Sequence, residues 1–331
     1  MTMSERILVI GSNSFSGAHF VDHCLGEGCE VVGISRSPEP DPVFLPYRWR
    51  GETSFRFHRL DLNHDLDEIM AVVDGFAPDY VVNFAAQGMV AESWQHPEHW
   101  YQTNIVAVAR LHDRLRHCSF LNKYVHVSTP EVYGNCAGTV GESTVYAPST
   151  PYAVSRAAAD MSLMAFHRAY GFPVAFTRAA NVYGPGQQLY RIIPRTILFF
   201  LTGRKLQLHG GGHSVRSFIH IRDVTDGTLR VARRSGGGEI FHLATAETVS
   251  IRALVEMIAD RLGVRFADHV EEVGERLGKD TAYRLDSTKA REKLGWQDKV
   301  SLAQGIDETI AWVRENLDRL QRLPLDYIHK P

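Results

Sequence analysis

RILVIGSNSFSGAHFVDHCL, residues Arg6–Leu25, decides the fold. Arg6–Ile10 is an apolar run with the composition of a buried strand. Gly11–Gly17 supplies a turn, GSNSFSG, and an amphipathic helix is expected through about Leu25. Strand, glycine turn and helix in that order is the context in which a turn grips a pyrophosphate. Gly11 permits the tight turn, Gly17 lets helix pack on strand, and the first N–H groups of the helix face the anion. The middle glycine of the usual GxxGxxG pattern is Ser14 here. Gly11, Asn13, Ser14, Phe15, Ser16 and Gly17 are therefore the expected contacts of a dinucleotide cofactor.

Working outward, the same alternation repeats. Glu30–Ser35 reads as a second strand, Phe55–Leu60 as a third and Asp79–Phe84 as a fourth, with Leu66–Phe76 helical between the last two. The end of the second strand selects the cofactor: an acidic residue there holds a ribose 2′-hydroxyl, a basic one a 2′-phosphate. This chain has Ser35, Arg36 and Ser37, which favours NADP over NAD. Asp61 and Leu62 close the third strand, on the adenine side. Ala85, Ala86 and Gln87 close the fourth, where small residues let a cofactor lie near the backbone. Pro38–Thr53 reads as a long loop. A polar stretch, Val90–Gln102, leads into one long helix through His117 that carries Asn104, which with Val127 is expected among the cofactor contacts. Strands alternating with helices at this spacing give a doubly wound parallel α/β (Rossmann) sheet, with ligands at the carboxyl ends of the strands.

Lys123–Arg156 is where chemistry is expected. Lys123–Ser128 is a buried strand, with Val127 and Ser128 at its ligand end, followed by Thr129, Pro130 and Glu131. Ser149 and Thr150 offer N-cap oxygens, Pro151 suits a first helical position, and Tyr152 opens a helix. Arg156 lies one turn further along the same face. A phenol must lose some of its ordinary pKa, about 10, to act as a base near neutrality, and a neighbouring cation is expected to lower it.

After Val174–Thr177, a further strand, the pattern shortens. Arg191–Leu201 is expected helical, Leu206–Leu208 extended, Gly210–Gly212 a turn, Ser217–His220 a strand and Asp223–Arg233 a helix. Glu239–Leu243 reads as a strand, Ile251–Leu262 as an amphipathic helix and Leu302–Leu320 as one closing helix. No linker composition divides the chain. The expected organisation is a dinucleotide-binding domain over 1–180, to which 218–245 returns, and a smaller interleaved C-terminal substrate-binding portion over 181–331.

Composition narrows the function classes. Hydrophobic residues make up 44% and charged residues 22%, ordinary globular values, and the net charge of −2 gives no reason to expect a nucleic-acid or membrane partner. The longest apolar runs are far too short to span a bilayer, and the start lacks the apolar core of a signal peptide. Cys24, Cys29, Cys118 and Cys136 show no paired spacing, as expected of reduced thiols in the cytoplasm. His209, His213 and His220 straddle a glycine turn with no acidic or thiol partner, so no metal site is expected.

Taken together, GSNSFSG, NFAAQ, STPEVYG, PYAVSRAAAD, NVYGPG, SVRSFIHIRDV and KLGW stand in the order found in extended short-chain dehydrogenase/reductases acting on nucleotide sugars. The chain most resembles the sugar-nucleotide 4,6-dehydratases, the GDP-mannose and dTDP-glucose enzymes, and around Arg36 the GDP-mannose branch. The resemblance implies an NDP-hexose substrate and an internal redox cycle through bound NADP. It implies Thr129, Glu131, Tyr152 and Arg156 as catalytic residues, with Tyr152 and Arg156 also touching the cofactor. Ser128, Thr129, Asn181, Arg191, Arg216 and Arg276 would face the substrate. A homodimer or homotetramer is implied as well. Two departures stand out: the family's Tyr-x-x-x-Lys is Tyr152…Arg156 here, and Pro130 replaces an Asp or Ser. The rival readings are an epimerase or an NDP-uronate decarboxylase on the same scaffold, or a relative that binds NADP without turnover.

Overall fold

The computed structural model describes residues 4–51, 54–136, 138–274 and 284–330. In chain order the first half contains β1 (Arg6–Ile10), α1 (Phe15–Gly26), β2 (Glu30–Ser35), β3 (Arg56–Arg59), α2 (Leu66–Phe76), β4 (Tyr80–Asn83), α3 (Pro97–Tyr101), α4 (Val108–Leu115), β5 (Lys123–Val127), β6 (Thr139–Val140) and α5 (Pro151–Tyr170). The second half contains β7 (Val174–Ala179), β8 (Asn181–Tyr183), α6 (Ile192–Leu201), β9 (Leu206–His209), β10 (Val215–Arg216), β11 (Phe218–His220), α7 (Ile221–Arg234), β12 (Glu239–Leu243), β13 (Val249–Ser250), α8 (Ile251–Leu262), α9 (Phe266–His269), β14 (Val270–Val273), β15 (Arg284–Leu285), α10 (Thr288–Leu294), α11 (Leu302–Glu315) and α12 (Leu317–Leu320).

Seven strands form one parallel sheet in the order β12-β7-β5-β4-β1-β2-β3. Strand β1 explains why it is covered on both faces. Its alternate side chains serve different layers: Ile7 and Val9 join the core under α1 and α7, while Leu8 and Ile10 join the core under α2, α4 and α5. All four are 1% exposed or less, and each such burial stabilises the fold by roughly 1.5–3 kcal/mol. A third core, built from α6, α8, α11 and β9, belongs to the C-terminal lobe.

Three expectations change. The helix expected through His117 is α3 and α4 joined by a π-helical turn, Gln102–Ala107, which turns Thr103 and Asn104 inward; it ends at Leu115. The closing helix is broken at Asn316, whose side-chain amide donates to the Trp312 carbonyl (2.8 Å) and competes with the helical ladder. The stretch read as a loop after Pro38 contains two 3-10 turns, Pro42–Phe44 and Pro46–Arg48, the second burying Tyr47.

Beyond α12 the chain runs back over the molecule. Arg195 on α6 holds Asp326 at 2.5 Å, Tyr327 packs edge-on to Tyr190, and His329 stacks on Trp100 of α3.

Candidate active site

The carboxyl ends of β1, β2 and β4 make a cradle. Gly11, with φ of +82°, lies so close to the end of β4 that a Cβ would stand 2.5 Å from the Ala85 nitrogen. A Cβ on Gly17 would strike the Gly11 carbonyl oxygen. Ser14 caps α1: its hydroxyl accepts from the Gly17 N–H (3.0 Å) and donates to the Gly11 carbonyl (2.7 Å). Serine at this place thus braces the turn that a glycine would only permit. The Asn13 N–H donates to Ser35 Oγ (3.0 Å), and its amide donates to the Ser37 carbonyl (2.9 Å), tying the turn to the end of β2. Ser16 is half-buried beside the cap. Phe15 is different: its ring is packed in the core, so only its backbone remains to meet a ligand.

Arg36 donates to Gln87 Oε1 (3.3 Å), bridging the ends of β2 and β4. Asp61 holds its own turn, accepting from the Asn63 N–H (2.8 Å), and Leu62 is packed into the core. Asn104 has both ends of its amide engaged. It donates to the Gln87 carbonyl (3.0 Å) and Ser155 Oγ (2.8 Å), and accepts from the Gln87 N–H (2.8 Å). Expected as a cofactor contact, its fully buried side chain instead fixes the turn after β4.

The chemistry-bearing stretch comes together at the ends of β5 and α5. Thr150 caps α5 by accepting from the Ala153 N–H (3.2 Å), with Pro151 in the first turn, as the spacing predicts. Ser93 Oγ accepts the Tyr152 N–H (3.2 Å). Thr129 caps the 3-10 turn Pro130–Tyr133, and its hydroxyl hydrogen-bonds the Tyr152 phenol. Pro130 is at the first position of that turn, where a missing N–H costs little. Glu131 follows it, near enough for its charge to act on Tyr152.

The Tyr152 phenol is nevertheless raised above its ordinary 10. Burial is the main cause and Glu131 the second; Arg156, the Thr129 hydrogen bond and Arg191 pull the other way without prevailing. The nearby cation does pull it down, as expected, but desolvation and a like charge outweigh Arg156, so the net shift is upward.

Arg156 is 2% exposed. Its Nη2 donates to the Val127 carbonyl and to His126 Nε2 (3.2 Å), while its Nε and Nη1 have no hydrogen-bond partner among the described residues. Below it lies a polar layer that the sequence reading missed. His126 and Asp160 approach to 3.7 Å, Asp160 pairs with Arg178 at 2.8 Å, and Arg178 donates to the Tyr133 and Tyr146 hydroxyls. His126, crowded by burial and by Arg156, is held well below 6.5 and is neutral. Ser128, expected to meet substrate, donates to Asp160 (2.7 Å) and belongs to this layer instead. The signal was present: His126 and Ser128 alternate on an otherwise apolar strand, and Arg156 and Asp160 share a helix face four residues apart.

The expected substrate residues are more dispersed. Asn181 is exposed and donates to the Ser217 carbonyl (3.0 Å). Arg191 is exposed, lies over the Tyr190 ring and acts on Tyr152 electrostatically. Arg216 is on β10 and donates to the Val215 carbonyl (2.8 Å). Arg276 lies outside the described residues. Among the described residues no cluster of His, Cys, Asp and Glu could hold a metal ion.

A nicotinamide dinucleotide fits these residues. The cradle excludes a Cβ, a serine-capped helix start faces it, and Ser12 Oγ and Arg156 Nη1 are buried without protein partners among the described residues. Fold and site together define a Rossmann-type enzyme built on the short-chain dehydrogenase/reductase plan. A family profile described as GDP-mannose 4,6 dehydratase matches residues 8–309. The dTDP-glucose 4,6-dehydratase of Streptomyces antibioticus is 33% identical over 323 residues, covering 94% of this chain and 93% of the relative. Among solved structures, the dTDP-glucose 4,6-dehydratase of Streptomyces venezuelae, with NAD bound, is 32% identical with a TM-score of 0.87, covering 95% of this chain and 98% of that one. The UDP-glucose 4-epimerase of Thermotoga maritima is 27% identical with a TM-score of 0.85, over 94% and 99% of the two chains. The chain belongs to the GDP-mannose 4,6-dehydratase family of extended short-chain dehydrogenase/reductases.

Proposed function

We propose that this protein is a nicotinamide-dependent nucleotide-sugar 4,6-dehydratase, converting an NDP-hexose to an NDP-4-keto-6-deoxyhexose and water. The observation that carries the reading is the juxtaposition of Tyr152 with both Thr129 and Glu131. A 4-epimerase needs an acid–base phenol at one carbon; a dehydratase needs a second base, and Glu131 supplies a carboxylate at that place.

When bound, the oxidised nicotinamide would supply a reversible hydride acceptor. Tyr152 takes the proton of the sugar 4-hydroxyl, with Thr129 hydrogen-bonded at the same point. The resulting ketone acidifies the neighbouring C–H, and Glu131 removes that proton. The 6-hydroxyl departs with that proton as water, returned by Glu131 itself or a water since Pro130 has none to give; hydride delivered to the 6-carbon of the resulting unsaturated ketone and a proton to the carbon beside it then complete the 4-keto-6-deoxy product. Arg156 is the counter-charge. Among the described residues no carboxylate pairs with it, whereas Asp160 is taken by Arg178, so the buried layer beneath Tyr152 carries a net positive charge that favours the phenolate.

The cofactor reading is NADP in preference to NAD. Ser35, Arg36 and Ser37 put a guanidinium, and no carboxylate, after β2. Arg36→Asp should move preference toward NAD, and unchanged relative affinity would refute the assignment. Gly11, Gly17, Ser14, Asn13 and the Ala85–Ala86 backbone hold the dinucleotide, and Asn181, Arg191 and Arg216 face the nucleotide sugar, a role the family resemblance also implies for Arg276. The expected setting is a cytoplasmic homodimer or homotetramer, with the dinucleotide-binding domain over 1–180 and 218–245. Among the described residues no helix is long and apolar enough to cross a membrane. The deciding experiment offers the enzyme GDP-, dTDP- and UDP-hexoses and follows them by mass spectrometry. Loss of one water supports dehydration, loss of carbon dioxide from a uronate indicates decarboxylation, and unchanged mass with altered NMR indicates epimerisation. Cofactor binding with no turnover at all would indicate a catalytically impaired relative.

A further inference from the structure

The segment after α12 makes three kinds of anchor. The first is on the C-terminal lobe, where Arg195 pairs with Asp326 and donates to the Leu325 carbonyl (2.6 Å). The second is on α3: the His329 ring lies parallel to Trp100, 5.0 Å between centroids and 4° between planes, and His329 Nε2 is 2.9 Å from His99 Nδ1. The third is at the strand ends. The Lys330 carbonyl accepts from Arg36 Nη2 (3.1 Å) and from the Gln87 amide, and the Lys330 ammonium donates to Ser37 Oγ (3.0 Å).

Topology gives the third anchor its meaning. Arg36 and Ser37 follow β2, Gln87 follows β4, and β1 lies between those two strands in the sheet. A residue joined to both flanking strand ends lies above the Gly11 turn that ends β1. The chain therefore crosses from the C-terminal lobe over the dinucleotide cradle and fastens on its far side. The family profile ends at residue 309, so this segment lies outside the part of the chain it covers.

We propose that residues 326–330 are a strap over the cofactor groove that slows escape of the bound nicotinamide cofactor. The proposal rests on the nicotinamide-binding reading above and gives it a kinetic reason. A cycle that returns the hydride it took consumes no cofactor, so nothing is gained by exchange between turnovers. Loss of the reduced cofactor after the first step would strand a keto-sugar that the chain could no longer reduce. A cover that opens rarely suits that cycle, whereas a dehydrogenase that exchanges its cofactor every turnover would be slowed by one.

The test measures release of cofactor alone, without sugar. The intact chain, a chain ending at Leu325 and the full-length His329→Ala variant are each loaded with NADPH, and separately with NADH. Excess oxidised cofactor is then added, and the loss of bound-cofactor fluorescence is followed. Ending at Leu325 keeps Leu323 and Leu325 packed on the C-terminal core, and His329→Ala keeps the whole chain while removing the stack on Trp100. The expected result is release at least about tenfold faster from the shortened chain and severalfold faster from His329→Ala. Equal release from all three overturns the strap. So does a shortened chain that binds faster and tighter with unchanged release, which would make the segment a competitor for the groove. An intact chain that binds no nicotinamide cofactor overturns the functional reading too, and is distinguished from failure of the strap alone, in which cofactor binds and leaves at one common rate.

Discussion

At the scale of single residues, Tyr152 is held between a carboxylate that disfavours its phenolate and a guanidinium that favours it. The two can be separated by substitution because they push in opposite directions. Glu131→Gln removes a negative neighbour and the proposed base together. Dehydration should fall by about 10²–10⁴-fold, the usual weight of a positioned acid–base group. The first step should survive, seen as reduced cofactor accumulating in stopped flow. Its pH profile should move to lower pH, because the phenolate no longer faces a like charge. Unaltered turnover would remove Glu131 from the mechanism. Arg156→Met should do the reverse. With the cation gone the phenol rises further, so the limb of kcat/KM attributed to Tyr152 should shift to higher pH and the neutral-pH rate should fall. An unmoved limb would show that Arg156 acts only through Val127 and His126, as structural support.

At the scale of elements, the seam between β5 and α5 is polar where most such seams are oily. Asp160 and Arg178 are both fully buried, and together they tie α5 and β7 to the hydroxyls of Tyr133 and Tyr146. Arg178→Met alone leaves a buried carboxylate unpaired and should cost about 3–5 kcal/mol. Adding Asp160→Asn should recover part of that loss, a non-additivity measured by denaturant unfolding of the two single variants and the double. This seam also marks the limit of what the sequence makes legible. β1 and its glycine turn can be read because the signal is local: period, turn and cap sit within twenty consecutive residues. The start of α5, capped by Thr150 with Pro151 in the first turn, can be read for the same reason. For Ser128 only the polarity is legible, in its alternation with His126; which group its hydroxyl meets is not, since Asp160 is on another element. The strap is invisible for a stronger reason, joining residues 36, 37 and 87 to residue 330 through plain backbone and side-chain contacts that no motif encodes. Its fastening does carry a pH signature. His329 faces His99, with His96, Glu98 and Glu92 beside it and Arg36 and Lys330 at the strand ends; docking holds its pKa below the ordinary 6.5, through burial first and then through His99 and Arg36. The undocked segment therefore binds the proton more readily. Docking is at full strength above about 6.5 and weakens as pH falls below it, so cofactor release should accelerate on acidification. Loss of that acceleration in His329→Ala would assign it to the strap; its persistence would place it elsewhere.

At the scale of the whole molecule, the helix that carries Tyr152 and Arg156 inward shows a different face outward. Val154 and Met161, seven residues apart and so on one side of α5, are 39% and 59% exposed, with Ala158 and Ala165 on the same stripe. Val106, in the π-helical turn packed beside α5, is 43% exposed. Small and apolar side chains continuing across two adjacent helices make a surface that water solvates poorly and a second copy can cover. Because the same stripe would meet itself, a two-fold axis passing near α5 satisfies both chains with one set of contacts. Such a dimer would brace the catalytic helix from outside while the Asp160–Arg178 pair braces it from within. Met161→Glu places a charge at the centre of the stripe without touching any residue of the cradle or of the polar seam. Sedimentation at micromolar concentration is expected to report a dimer or tetramer for the unaltered protein and a single chain for the variant. The variant should still bind nicotinamide cofactor, since Gly11, Ser14 and Arg36 belong to the β1–α1 turn and the end of β2, not to α5. A protein already monomeric before the substitution, or a dimer indifferent to it, would move the interface off α5 and leave Val154 and Met161 as ordinary surface.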